Sequence, residues 1–265
     1  MKSKFTKGLC VILIAALFVS TGIILKIFSN KGPDNGELTD GEKQELIDDN
    51  NKPVVKEATF VDAPEGYFDD ALFVGDSRTV GLKLYSPIEG ATYFASVGLN
   101  VYKIDEIKVE VDGIGSVTLE ELLKNNQYGK IYLMLGINEL GNDFDTNVAK
   151  YKQLVKKIRK LQPDSIIFIE ANLRVGAAKS NSDAVINNAN IDKFNERISK
   201  FANNVDIVYI DVNPIFDDGT GNLNAASTGD SVHLYANYYS QWVDWFKTKA
   251  IVNQEKETLD TKTDE

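Results

Sequence analysis

Four short polar segments contain the residue types that acyl transfer through a serine nucleophile requires. They are GDSR at 75–78, SVGLN at 96–100, GINE at 136–139 and GDSVH at 229–233. A serine hydroxyl is a weak nucleophile and needs a neighbouring base to accept its proton. His233 is the only histidine of the chain, so imidazole chemistry depends on this residue. Asp230 could hold one ring nitrogen of His233 and leave the other facing Ser77.

Hydrogen-bond donors for a tetrahedral intermediate occur in the same segments. The backbone amides of Ser77 and Gly98 and the side chain of Asn138 could donate to an oxyanion, each contributing about 3 kcal/mol by analogy with measured donors. Each residue also has an ordinary explanation as a turn or helix-capping residue. Those explanations do not account for all four segments lying at one predicted edge. We therefore predict Ser77, Asp230 and His233 as catalytic residues, and Ser77, Gly98 and Asn138 as an oxyanion hole.

Apolar segments between the motifs predict the elements that must position them. Five short apolar runs predict strands of a parallel sheet that is covered on both faces. Apolar stripes at helical spacing predict helices at 147–161, 191–201 and 236–249. This alternation predicts an α/β fold, a three-layer α/β/α sandwich around a five-stranded parallel sheet. The predicted strands are Ala71–Val74, Thr92–Ala95, Ile131–Leu135, Ile166–Ile169 and Ile207–Ile210.

Function in open α/β sheets lies beyond the carboxyl ends of the strands. GDSR follows the first predicted strand, SVGLN the second and GINE the third, while GDSVH lies between the fifth strand and the last helix. All four motifs are therefore expected at one edge of the sheet. The alternating pattern at 107–119, around Asp112-Gly113, predicts an excursion with hairpin character.

The four motifs resemble the sequence blocks of the SGNH, or GDSL-type, hydrolase superfamily, and the resemblance spans about residues 72–246. Gly98 matches the glycine of the second block, and GINE matches the third block, which is usually G-x-N-D, so Glu139 departs from the pattern. The resemblance implies a flavodoxin-like fold and hydrolysis through an acyl-serine intermediate, without metal or organic cofactor. It also implies the same catalytic and oxyanion residues. Arg78 is expected to form a local salt bridge or to bind an anionic group of the substrate.

The ends of the chain differ from its middle. Lys2, Lys4 and Lys7 precede an apolar run at 8–25, which would rise about 27 Å as a helix, roughly the thickness of a bilayer core. We predict a transmembrane anchor at 1–28, a flexible acidic linker at 29–60, a hydrolase domain at 61–253 and a disordered polar tail at 254–265. The basic amino end favours a cytoplasmic N-terminus and an exported domain. The alternative is a protein secreted after cleavage of a signal peptide.

Composition excludes several classes of function. A net charge of −10 argues against nucleic acid as a partner, because neutralising phosphates requires clustered Lys and Arg. A single cysteine excludes an intramolecular disulfide and a Cys-rich zinc site, and a single histidine excludes a multi-histidine metal centre.

The leading hypothesis is a serine esterase that removes short acyl groups, such as acetyl, from a cell-envelope or extracellular glycan. The expected partners are an acylated glycan or other small ester substrate and, through the N-terminal helix, a membrane. An O-acyltransferase of envelope polymers would use the same nucleophile with a sugar hydroxyl as acceptor. Two more hypotheses are a lysophospholipase-like lipid acyl hydrolase and a catalytically silent surface binding module.

Overall fold

A computed structural model describes residues 58–252 of the chain. The predicted anchor, most of the predicted linker and the predicted tail lie outside the described residues. Within 58–252, no helix is both long enough and apolar enough to cross a bilayer. The ends of the described part meet, because Val61 and Ala250 exchange backbone hydrogen bonds of 2.9 and 3.1 Å.

Five strands form the parallel sheet that the sequence predicts. They are β1 (Ala71–Gly75), β2 (Thr92–Ala95), β5 (Lys130–Met134), β6 (Ile166–Glu170) and β7 (Ile207–Ile210), in the spatial order β2-β1-β5-β6-β7. The chain order therefore reverses beside β1, which lies between β2 and β5. This order is that of flavodoxin-like sheets, in which ligands bind at the reversal point. The predicted α/β fold class is confirmed.

The predicted hairpin is also present, as β3 (Val109–Val111) paired antiparallel with β4 (Gly115–Val117). Helices flank the sheet, and some begin before the residue at which the apolar pattern predicts them. Asp143 caps one of them by accepting the Thr146 amide at 2.8 Å, which moves its start from 147 to 144. The helices are α1 (Ser77–Tyr85), α2 (Leu119–Asn125), α3 (Phe144–Leu161), α4 (Ala177–Ser182), α5 (Asn188–Ser199), α6 (Asn213–Phe216) and α7 (Tyr239–Lys247).

The two faces of the sheet have different cores. One face carries a row of stacked rings, in which Tyr132 lies 4.5 Å from Phe73 and 4.4 Å from Phe168 between ring centroids. Phe246 of α7 meets the Phe73 and Tyr132 rings edge-on. The other face is mostly aliphatic and includes buried residues of α3 and α5. Because both faces are covered, the sheet is rigid and its carboxyl edge is a fixed platform for the loops that follow.

Candidate active site

Ser77 is the first residue of α1, immediately beyond the carboxyl end of β1. The helix begins here because Asp76 is its cap, with Oδ1 accepting the Arg78 amide at 3.0 Å. The first amides of a helix have no acceptor within it and carry partial positive charge. The position therefore favours negative charge that develops next to the Ser77 side chain.

The structure brings Ser77, His233 and Asp230 together across 156 residues of chain. The Ser77 Oγ lies 2.8 Å from His233 Nε2, and His233 Nδ1 lies 2.7 Å from Asp230 Oδ2. With Nδ1–H donating a hydrogen bond to the carboxylate, Nε2 is free to accept the serine proton. The His233 side chain is 42% exposed, so solvent and substrate can reach it.

A tight turn fixes Asp230 and His233 relative to each other. Asp230 Oδ1 accepts the backbone amides of Val232 at 2.8 Å and of His233 at 2.7 Å. Ser231, between them, adopts a positive φ of 64°, and its carbonyl accepts the Gly176 amide at 2.8 Å. Partial burial opposes ionisation, but these amides and the imidazole lower the pKa of Asp230 to about 2. The carboxylate is therefore charged across the neutral pH range.

The expected oxyanion donors follow three adjacent strands, because β1 pairs with both β2 and β5. Asn138 lies in a 3₁₀ turn after β5, and its Nδ2 donates to the Leu99 carbonyl at 3.0 Å. Gly98 has a φ of +74°, a conformation that favours glycine, and a Cβ there would meet no atom within 4 Å. The backbone conformation thus selects glycine, and the space beside it is open for a substrate. Glycine is also required at position 136, here for a steric reason, because a Cβ there would lie 2.5 Å from the Phe194 ring.

Arg78 forms the local salt bridge that was one of its two expected roles. Its Nη2 lies 2.6 Å from Asp76 Oδ2, and the guanidinium also donates to Asn172 Oδ1 at 2.9 Å and to the Leu173 carbonyl at 3.3 Å. Arg78 is 1% exposed. The alternative role, binding an anionic group of the substrate, is therefore wrong, because the guanidinium is enclosed by protein.

Two further buried carboxyl groups lie close enough to this ion pair to interact with it electrostatically, and one of them, Glu170, was not predicted from the sequence. Burial, followed by the charge of Asp76, raises the pKa of Glu139 to about 7 despite its hydrogen bond from Val101. Burial also raises the pKa of Glu170 to about 8, with Arg78 opposing and Asp76 reinforcing the effect. Glu170 ends β6, and a charged residue closing an apolar strand was the signal available in the sequence.

The parts that acyl transfer needs are all present at this edge of the sheet. They are a serine hydroxyl, an imidazole within hydrogen-bonding distance of it, a carboxylate on the far ring nitrogen and candidate oxyanion donors. Among the residues that the structure describes, no group of three or more His, Cys, Asp or Glu side chains could hold a metal ion. The arrangement of Ser77, His233 and Asp230 can support attack of a serine oxygen on an ester carbonyl.

Comparisons with known proteins agree with this interpretation. A family model described as the GDSL-like Lipase/Acylhydrolase family matches residues 73–240. Among solved structures, a Streptococcus pneumonia protein provisionally described as a platelet activating factor matches with 18% identity and a TM-score of 0.52, over 67% of this chain and 83% of that protein. A GDSL-like lipase from Bacteroides thetaiotaomicron matches with 13% identity and a TM-score of 0.50, over 69% of this chain and 87% of that protein. No curated protein matches the sequence. At these identities the structural matches show the fold alone.

Proposed function

Since the chain belongs to the GDSL-like lipase/acylhydrolase family and is an ester-hydrolysing enzyme, we propose that it removes short acyl groups from a cell-envelope or extracellular glycan through an acyl-serine intermediate. The observation that carries the mechanism is the 2.8 Å contact between Ser77 Oγ and His233 Nε2, with Asp230 on the far ring nitrogen. Ser77 is the nucleophile in this proposal, His233 the base and then the acid, and Asp230 the orienting carboxylate.

The reaction proceeds in two stages that balance in protons. The Ser77 oxygen attacks the ester carbonyl while His233 Nε2 takes the hydroxyl proton, and Asp230 stabilises the imidazolium. The amides of Ser77 and Gly98 and the Asn138 side chain donate to the oxyanion. Collapse breaks the ester bond, and His233 returns the proton to the leaving alcohol. Water then gives a proton to His233 Nε2 and attacks the acyl-serine; the bond to Ser77 Oγ breaks, His233 returns the proton to that oxygen, and the carboxylic acid is released.

The open site supports a substrate whose acyl group is small and whose alcohol part is large. Asp230 is 57% exposed at its side chain, and Val97, beside Gly98, is 75% exposed. Tyr235 is half-exposed, and it follows the buried Leu234, which pairs with Thr228 in a β-bridge. The Tyr235 ring lies over Gly229, where an added Cβ would be 2.9 Å from it, so an exposed aromatic surface adjoins the residue before Asp230. A sugar ring can pack against such an aromatic surface while its acyl group reaches Ser77.

The proposed location is the outer face of a cell membrane, with the chain anchored by its first 28 residues. This proposal rests on the basic residues before the apolar run at 8–25 and on the polar composition between that run and the domain. A tether of this composition would keep the site close to envelope polymers while allowing it to reach many positions. Secretion after cleavage remains the alternative, and mass measurement of the mature N-terminus distinguishes the two.

Hydrolysis of a chromogenic acetyl ester and acetate release from acetylated glycans test the proposal with the full-length protein. We expect activity in the wild type, its loss in Ser77→Ala, and attachment of an active-site phosphonate to Ser77. Ser240→Ala is the matched control, because it removes an exposed serine hydroxyl on α7 and should still be labelled. An inactive wild type would favour the silent binding module, while undiminished activity in Ser77→Ala would refute the nucleophile. Transfer of acetyl to an added sugar faster than to water would favour the acyltransferase.

A further inference from the structure

We propose that Glu139 is a positioning residue that sets the separation of two oxyanion donors, the Gly98 amide and the Asn138 side chain. The inference rests on the proposed function, because it assigns a role to Glu139 within that reaction. Glu139 directly follows Asn138 in the chain, and its carboxyl group reaches the loop that contains Gly98. It is also the residue at which the third motif departs from the usual G-x-N-D pattern.

Two hydrogen bonds join the loop after β2 to the turn after β5. Glu139 Oε1 accepts the Val101 amide at 3.1 Å, and Asn138 Nδ2 donates to the Leu99 carbonyl at 3.0 Å. Val101 and Leu99 flank Asn100, so two adjacent side chains of one segment hold two nearly adjacent backbone groups of the other. Asn100 Nδ2 in turn donates to the Gly98 carbonyl at 3.2 Å. The position of the Gly98 amide is thereby linked to the turn that carries Asn138.

A third connection passes through α3 and closes the network. The Glu139 carbonyl accepts Asn147 Nδ2 at 2.7 Å, and Asn147 Oδ1 accepts the Tyr102 hydroxyl at 2.6 Å. Asn147 is fully buried, so its amide group is shielded from solvent at the centre of this link. Tyr102 follows Val101, and the loop is therefore held at two successive residues, once by the Glu139 side chain and once through its carbonyl.

Burying the carboxyl group of Glu139 costs solvation free energy, and the group accepts one backbone hydrogen bond in return, that of Val101. Glu139 is 1% exposed, and its Oε2 has no partner among residues 58–252. A buried polar atom without a partner requires an explanation. The charged and titratable groups that interact with the carboxyl are Asp76 and Arg78 at the start of α1, Tyr102 in the loop and Tyr151 on α3. Asp76, Arg78 and Tyr151 are buried, as Glu139 itself is, which favours a role in fixing the loop over a role in contacting substrate.

Steady-state kinetics of three Glu139 variants test the inference. Glu139→Met fills the same space without an acceptor, and we expect kcat to fall about 10- to 100-fold with KM changed less than about threefold, since small misplacements of oxyanion donors act on the transition state. Glu139→Gln keeps an acceptor for Val101 and should stay within about threefold of the wild type. Glu139→Asp, one methylene shorter, should fall between the two. Hydrogen exchange should show the Val101 amide less protected in the Met variant than in the Gln variant.

Glu121→Gln is the matched control, because Glu121 Oε2 also accepts a backbone amide, that of Thr118 at 2.8 Å, at a helix start on the protein surface. It should leave kcat unchanged. A folded Glu139→Met enzyme with wild-type kcat would overturn the inference. A Glu139→Gln enzyme whose kcat falls as far as that of Glu139→Met would also overturn it, because a side chain that still accepts the Val101 amide should keep the loop in place. If Glu139→Met does not fold, the comparison of Glu139→Asp with Glu139→Gln tests the inference instead, and equal kcat values in the two variants would overturn it. These failures leave wild-type hydrolysis intact, whereas a wild type that neither hydrolyses nor reacts with the phosphonate removes the proposed function itself.

Discussion

Replacing Asp230 by asparagine changes one atom of the site and tests the assignment of the base. The backbone amides of Val232 and His233 donate to Asp230 Oδ1, so the oxygen of the new side chain must stay at that position. Its NH₂ group then faces His233 Nδ1 in place of the carboxylate oxygen. Two donors cannot face each other, so the imidazole places its proton on Nε2 and loses the ability to accept one from Ser77.

The size of the effect follows from the exposure of the site. The imidazolium loses an anion at 2.7 Å, but the Asp230 side chain is 57% exposed, so screening reduces the charge interaction to about 1–3 kcal/mol. Restoring the productive tautomer sacrifices one hydrogen bond, at about 1–2 kcal/mol. The sum, about 2–5 kcal/mol, corresponds to a kcat lower by roughly 30- to 5,000-fold. This is less than the loss of about 10⁴-fold that the same substitution causes in a protease whose aspartate is buried.

The assay is the initial rate of acetyl ester hydrolysis between pH 5 and 9, with thermal unfolding as a check on the fold. Asp183→Asn is the matched control, because Asp183 Oδ1 accepts the amides of Val185 and Ile186 at 2.8 and 2.9 Å in the same kind of turn, without an imidazole. It should retain wild-type kcat. A folded Asp230→Asn enzyme with more than about a fifth of wild-type kcat would refute the assignment.

Three further substitutions have defined outcomes. Arg78→Met leaves Asp76 buried without its partner, and urea unfolding should show a free energy of unfolding lower by about 3–5 kcal/mol. A decrease below about 1 kcal/mol would show that the ion pair does not stabilise the fold. Because the folded pKa of Glu170 is raised from 4.5 to about 8, its contribution to stability is fully present below pH 4.5 and is lost as pH rises to 8. In the wild type, the free energy of unfolding should therefore fall by roughly 3–5 kcal/mol between pH 5 and 8.5, and Glu170→Gln should remove this fall, as measured by urea unfolding at the two pH values. The same pH dependence in Glu170→Gln as in the wild type would contradict the raised pKa. Gly98→Ala should destabilise by about 1–2 kcal/mol and also lower kcat, whereas Gly113→Ala, with the same φ of +74° in the β3–β4 turn, should lower stability alone.

The sequence predicted the sheet well because its strands are continuous apolar runs with polar residues at each end. Each predicted strand agrees with the structure to within one residue at either end, and the β2 and β7 limits are identical. The helix starts were predicted less well, since Asp143 and Asn187 begin α3 and α5 before the apolar stripe does. A capping side chain acts through one hydrogen bond to a backbone amide, which a search for periodic apolar residues does not register.

The meeting of Ser77 and His233 could be predicted because both residues come after the carboxyl ends of strands in one parallel sheet. A residue that follows β1 and a residue that follows β7 lie at the same edge of such a sheet, and the segment after β7 returns across β6 and β5 to bring His233 to Ser77. The spacing of Asp230 and His233 then follows from a turn of four residues. By contrast, Asn172 accepts a hydrogen bond from Arg78 beneath the site, and the buried Glu170 interacts with that guanidinium electrostatically; no spacing in the sequence indicates either interaction.

The buried polar cluster under Ser77 explains why a site so open to solvent can still be well ordered. Asp76 starts α1 and is itself held by Arg78, whose guanidinium bonds to Asn172 and the Leu173 carbonyl beyond the end of β6. Ser77 is thereby attached to two strands of the sheet from below, while its side chain remains accessible above them. The carboxyl groups of Asp76, Glu139 and Glu170 all interact with the single guanidinium of Arg78. Because the pKa values of Glu139 and Glu170 are raised to about 7 and about 8, these two groups bind protons near neutral pH, which reduces the negative charge of the cluster. Raising the pH removes those protons and places repulsive charge beneath Ser77, so the order of the site and the stability of the fold should weaken together in alkaline solution.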